Sequence, residues 1–339
     1  MTIDPQRRSA LLATKLHALV RDHLTGEGVV AHAEPRPGGF GGGAGLVLGD
    51  QTWVLIEGDP SRGLGGALAW ARQQGTSQVH VIADSHTGAL ARRAALFATD
   101  VTVWQASGRA LVAAVAEPLA EPVPVPAEHL AFVEVIEAAG VEPVIEHGVL
   151  TGEVEGLEVC RVVFDEALGT DRLEVGVGMH DRLAFQMLHG DVPTAAALAR
   201  VAESVRVQRQ PGVNQHPLNT LAAERMLFCR IRREPSLVGL ARLDRIQPPA
   251  ERGGIKETWP ILGVGERIGN GAPVVVGVST GVDLDLVPFA ADGRAAEAAR
   301  RAMDESELGL VLALPARDAL SVTRDLASSL RNPAEVVGL

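Results

Sequence analysis

The chain has 339 residues, 46% of them hydrophobic, and a formal net charge of −11. That length allows two or three domains with substantial cores, and the acidic balance disfavours nucleic acid as a partner by repelling its backbone. No apolar run reaches the ~18 residues that a membrane span requires, so no membrane partner is expected.

The first segment, MTIDPQRRSALLATKLHALV, places arginines before an apolar stretch. Lys15, His17 and Arg21 interrupt that stretch. It therefore reads as an amphipathic helix rather than a signal peptide, and a cytoplasmic location is expected. A strand from Gly28 (GVVAHAEPRP) follows, then a glycine loop (GGFGGG) and a hairpin (GLVLGDQTWVLIEG) turning at Gly49-Asp50. Helix GLGGALAWARQQG, strand VHVIAD, helix TGALARRAALFA and strand VTVW complete a lobe over 1–110.

Alternating prolines in AEPLAEPVPVPAEH predict an extended, semi-rigid linker over 111–129. A middle region over 130–210 opens on helix AFVEVIEAAG. Alternating strands GEVEGLEVCRVVFD and RLEVGVGMHD follow, joined by EALGTD, as in an antiparallel pair with one wet face. Helices DRLAFQMLHG and VPTAAALARVAESVRVQR, the latter with Thr194 as N-cap, make this region α+β.

From 211 to 339 the plan of the first lobe returns. Helix HPLNTLAAERMLFCRIRRE and a surface loop, QPPAERGGIKETWP, precede strand PVVVGVS. A long helix from Val282, strand GLVLALP, helix ALSVTRDLASSLR and strand AEVV then follow. A repeat of domain size predicts two similar α/β lobes, each a mixed sheet flanked by helices, around the α+β middle region. The apolar last strand is a candidate edge for self-association.

The helix–hairpin–helix–strand–helix–strand order of the first lobe resembles the core of the PD-(D/E)XK nuclease superfamily, and about a hundred residues carry the resemblance. It implies an acid on one hairpin strand and an acid–x–lysine on the next, with the carboxylates holding Mg²⁺ for phosphodiester hydrolysis. Glu57-Gly58-Asp59 stands where the acid–x–lysine belongs, with Asp59 in place of lysine. Gly45 and Leu46 occupy the strand that should carry the other acid, and Asp50 lies in its turn. In the last lobe the equivalent VVVGVSTG has no acid. The alternative use of Glu57 and Asp59 is to complement the N-terminus of the helix that follows.

Other patterns are open to both a chemical and a structural reading. Gly277-Val278-Ser279-Thr280-Gly281 matches G-x-S-x-G between a strand and a helix. That motif needs a histidine later in the chain, and the last one, His216, comes earlier. The glycine runs GGFGGG and GVGERIGNG lead into strands, and GVGMHD lacks phosphate-loop spacing, so turns and bulges account for them. His180-Asp181 and His189-Gly190-Asp191 bracket one helix, where a spacing of nine sets the histidines on opposite faces. Arg225, Arg232 and Arg233 could line a binding face or be balanced by local ion pairs. Asp283 or Asp285 sits near a helix start, where the dipole welcomes it, with Asp292 further along, and none of the three requires chemistry. Cys160 and Cys229 read as reduced buried thiols. Lys15 and Lys256 are the only lysines, and neither stands in a P-loop, kinase or Schiff-base motif. Arginine in place of lysine, with abundant Ala, Val and Gly, resembles the composition of a high-GC bacterial protein.

Three functions follow as expectations. The first is a non-catalytic protein of degenerate nuclease-like lobes that binds a protein partner or ligand and needs no cofactor. The second is a nuclease using Glu57, Asp59 and Asp50 with Mg²⁺. The third is a hydrolase at Ser279.

Overall fold

The computed structural model describes residues 4–28, 34–189, 195–210, 216–252 and 258–339. The fold is mixed α/β, as the sequence predicts. Contacts divide the chain into two compact units. One comprises residues 1–119 with 282–338, and the other 120–281. The stretch 211–339, expected as a lobe of its own, thus contributes to both units.

In the first unit, α1 (Pro5–Gly26) is capped by the Asp4 carboxylate and starts on a proline whose missing N–H costs nothing there. Strands β1 (Arg36–Phe40), β2 (Gly43–Leu48) and β3 (Gln51–Ile56) form an antiparallel meander. Helices α2 (Leu64–Gln74) and α3 (Thr87–Ala94) then carry the chain into β4 (Gln78–Ala83) and β5 (Asp100–Ser107), parallel to β3. A short β6 (Ala110–Ala113), which runs from the end of the expected lobe into the expected linker, pairs antiparallel with β5 and closes a six-stranded sheet.

Strand period explains the packing. Trp53 and Leu55 of β3 face α1, where they meet Leu16, Leu19 and Val20. The intervening Thr52 and Val54 are just as buried, because β3 is covered on both faces. The last part of this unit adds α9 (Leu286–Arg301), β14 (Gly309–Leu314), α10 (Ser321–Ser328) and β15 (Glu335–Gly338), the two strands pairing in parallel. Helix α9 packs on α2 and α3.

The second unit has α4 (Ala127–Leu130) and α5 (Val133–Ala138). Four antiparallel strands follow: β7 (Glu142–Glu146), β8 (Val149–Val154), β9 (Leu157–Asp165) and β10 (Thr170–Val175). The sequence 152–165, expected as one strand, is two, because Glu155 and Gly156 both take positive φ in a tight turn. Helices α6 (Gly178–His189) and α7 (Ala195–Gln208) come next, and α7 joins α5 over one core with Leu150, Leu157 and Val159. The expected N-cap Thr194 lies outside the described residues. Finally α8 (Ala223–Arg233) packs on the antiparallel strands β11 (Leu240–Ile246), β12 (Ile261–Arg267) and β13 (Pro273–Val278). Along the chain, α8-β11-β12-β13-α9-β14-α10-β15 has the same order as α1-β1-β2-β3-α2-β4-α3-β5.

Candidate ligand cavity in the first unit

A cavity of about 720 Å³ opens in the first unit between the β1–β2 turn, the start of α2 and the segment leading into α9. That volume is in the range of small-molecule sites, roughly 300–1,000 Å³. Three parts of the sequence build it. Of the residues Gly38–Gly42, expected as part of a loop, the first three extend strand β1 and the last two form a tight turn. Trp70 of α2 explains the glycines: a Cβ on Gly38 would sit 2.6 Å from its ring, and one on Gly45 would sit 2.3 Å away. Glycine here makes room for an indole, and Phe40 beside it supplies a second aromatic wall.

Gly65, in the first turn of α2, does the same for backbone. A Cβ there would lie 2.2 Å from the Leu284 carbonyl, so only glycine lets the 282–285 segment lie on the helix. Its N–H, one of the four that a helix start leaves without an internal acceptor, donates to Asp285 Oδ1 at 2.9 Å. Asp285 precedes α9 but makes no side-chain cap to that helix. Burial, reinforced by the neighbouring Asp283, pushes its carboxyl up to about 6. Asp283 accepts from Arg62 Nη2 at 3.0 Å and from the Asp285 N–H at 3.1 Å. Among the cavity-lining residues, Arg62, Asp283 and Asp285 are the only ionisable groups.

Deeper in the same unit, Asp292 of α9 is fully buried between Arg92 and Arg93 of α3, at 2.8 and 2.9 Å. Arg93 also donates to the Ser61 carbonyl, fixing the short 3₁₀ turn that presents Arg62. Of Asp283, Asp285 and Asp292, the first two were expected to serve a helix dipole and the third to have no special role. Each instead bonds to groups more than 190 residues earlier in the chain. Sequence spacing carries no sign of that pairing.

The acids singled out from the nuclease resemblance do not converge. Asp50, in the β2–β3 turn, accepts from the Ser77 N–H at 3.0 Å and from its hydroxyl, which holds its carboxyl below the usual range. Glu57 lies past the other end of β3, about 20 Å away for a six-residue strand, and pairs with Arg8 at 2.8 Å. Asp59 caps the Pro60–Arg62 turn, accepting from the Ser61 N–H at 2.9 Å and hydroxyl at 2.6 Å. Asp50 therefore does not join Glu57 and Asp59 in one carboxylate set. Among the described residues, no group of three or more His, Cys, Asp or Glu side chains is placed to hold a metal ion.

The other candidates are placed as follows. Ser279 follows β13 with no solvent exposure, so its hydroxyl does not face a substrate. Arg225 is buried between Glu146 and Glu153, at 2.5 Å from each. Arg232 pairs with Glu142 at 2.5 Å and Arg233 pairs with Glu155. The three arginines balance carboxylates of their own unit. His180 and His189 fall on the one helix α6, whereas Asp191 and Lys256 lie outside the described residues. Asp181 lines a second cavity of about 550 Å³, beside Arg200 and Ser204 of α7. Cys160 and Cys229 are both buried, and burial pushes their thiols up to about 12 and about 11. No described helix is long and apolar enough to cross a membrane. Comparison of the chain with family models, with curated proteins and with solved structures finds no match.

Proposed function

We propose that this chain is a non-catalytic binding protein and that the cavity of its first unit is the ligand site. The cavity carries the reading: aromatic walls and a few convergent polar groups in a space of about 720 Å³ are the usual composition of a small-molecule pocket. The engagement of Glu57, Asp59 and Asp50 in separate structural contacts supports a scaffold whose nuclease-type acids have other uses. The recurrence of one element order in both halves of the chain supports descent of that scaffold by duplication. A protein partner is a further proposal, with β15, which ends its strand ladder on β14, as the edge for self-association.

The test is ligand-observed NMR with a fragment mixture on the wild type and on Gly66→Leu. Gly66 lines the cavity, and a Cβ there points at the Phe40 ring 3.3 Å away, so a leucine fills the space. Saturable binders that the substitution removes are the expected result. Absence of any such binder overturns the site. Titration calorimetry with Mg²⁺ or Mn²⁺ tests the non-catalytic half of the proposal: a binding isotherm that Glu57→Ala abolishes would restore the nuclease reading.

A further inference from the structure

Resting on that site, we propose that its ligand is an organic cation, a primary ammonium or guanidinium group on a compact apolar body, held between Phe40, Trp70 and the Asp285 carboxylate. The argument begins with charge. Arg62 and Asp283 pair at 3.0 Å and offset each other. Among the described residues, Asp285 is the remaining ionisable group of the lining, and its neutral donor is the Gly65 N–H. Two carboxylates against one guanidinium leave the lining one negative charge in excess when all are ionised.

A carboxylate in that setting has lost part of its hydration without gaining a full counter-charge, which is why burial raises its proton affinity. An anionic ligand would add repulsion, and a neutral one would leave the charge uncompensated. A cation supplies what is missing, and aromatic walls add a favourable cation–π term. The apolar body would rest on Val282, Leu284 and Val322.

Proton linkage follows from the same geometry. Asp285 faces Asp283 on its own segment, Arg62 of the 3₁₀ turn and Arg93 of α3, and Arg93 is already bound to Asp292. Cation binding therefore competes with protonation of Asp285, and affinity should rise as pH increases through about 6.

The experiment is calorimetry at pH 7 with three probes of one shape, benzylamine, benzyl alcohol and benzoate, on the wild type, Asp285→Asn and Gly66→Leu. Benzylammonium should bind most tightly, and Asp285→Asn should weaken it by about 10- to 100-fold, the usual range for a hydrogen bond to a charged group. Benzyl alcohol should be unaffected by that substitution. Equal or tighter binding of benzoate, or an unchanged benzylamine affinity in Asp285→Asn, overturns the cation proposal. In those cases, loss of binding in Gly66→Leu would still uphold the cavity itself. If none of the probes binds the wild type, the cation proposal fails as well, and the fragment screen then decides whether the site stands. A capped Gly-Arg-Gly peptide distinguishes the source: tighter binding than butylguanidine points to a side chain of a peptide partner, and weaker binding to a free small molecule.

Discussion

Asp292 is a buried acid within α9 and Asp285 a partly buried one on the approach to it, and opposite surroundings set their energetics. Asp292 receives two arginines, and its loss would leave Arg93 buried without a counter-charge. Asp292→Asn is expected to destabilise the first unit by about 3–5 kcal/mol in urea titrations. Asp285 has one backbone donor and a carboxyl raised to about 6. For an acid raised above its unfolded value, the stabilising contribution is full below the unfolded pKa near 3.8 and is lost as pH rises through about 6. Asp285→Asn keeps an acceptor for Gly65 and removes the ionisation, so it should stabilise the protein at pH 7 by roughly 1–3 kcal/mol. The gain should shrink towards pH 4, and a gain independent of pH would exclude a titrating Asp285. The three acids themselves were legible from the sequence, but their roles were not. The dipole argument for Asp283 and Asp285 sees only the helix that follows them, whereas the partners of all three acids reach them through tertiary folding.

At the scale of elements, periodicity recovered those that bury a complete face. Helices α1 and α2 and strands β3 and β4 fall where apolar spacing places them, because alternating or 3.6-residue patterns survive only where one side meets a core. Exceptions came where glycine or proline obscured the pattern. RPGGF is strand β1 although it contains a proline and two glycines, and EPVIE is strand β7 with a proline at its second position. For β1 the physical reason is Trp70, which uses the space that side chains at Gly38 and Gly45 would fill. Gly45→Ala brings a methyl group within 2.3 Å of that ring and should cost about 1–3 kcal/mol through overpacking. Combining it with Trp70→Phe tests the mechanism. If the two penalties simply add, contact with the indole is not their cause; a smaller cost for Gly45→Ala in the Trp70→Phe background is expected.

Across the whole molecule, the second unit depends on charge more than its hydrophobic content suggests. Burial would push the Glu153 carboxyl up, but Arg225 and Arg245 outweigh it and hold the group down to about 2. Its stabilising contribution is therefore full above the unfolded value near 4.5 and disappears as pH falls from 4.5 to about 2, on the order of 3 kcal/mol in all. Urea titrations in that window should show the unit losing stability steadily, and Glu153→Gln should flatten the dependence, with its deficit largest above pH 4.5 and shrinking towards pH 2. A slope unchanged by Glu153→Gln would place the acid sensitivity elsewhere. The α/β class was legible from the sequence, since alternating strands and helices dictate it. The grouping of segments was not, because the residues that bind 282–338 to the first unit, Asp283, Asp285 and Asp292, meet partners that no local pattern marks.

That grouping has a bearing on how the chain is made. Arg62, Arg92 and Arg93 leave the ribosome long before the aspartates that complete their surroundings, with the whole of 120–281 translated in between. At about 5–20 residues per second, the delay is roughly 10–45 s. During that interval the first unit lacks Asp283 and Asp292 as partners for its arginines and has no 282–285 wall for its cavity. The stretch 282–338 therefore acts as a completion step for the first unit, and a chain stopped after Gly281 should never acquire the ligand site.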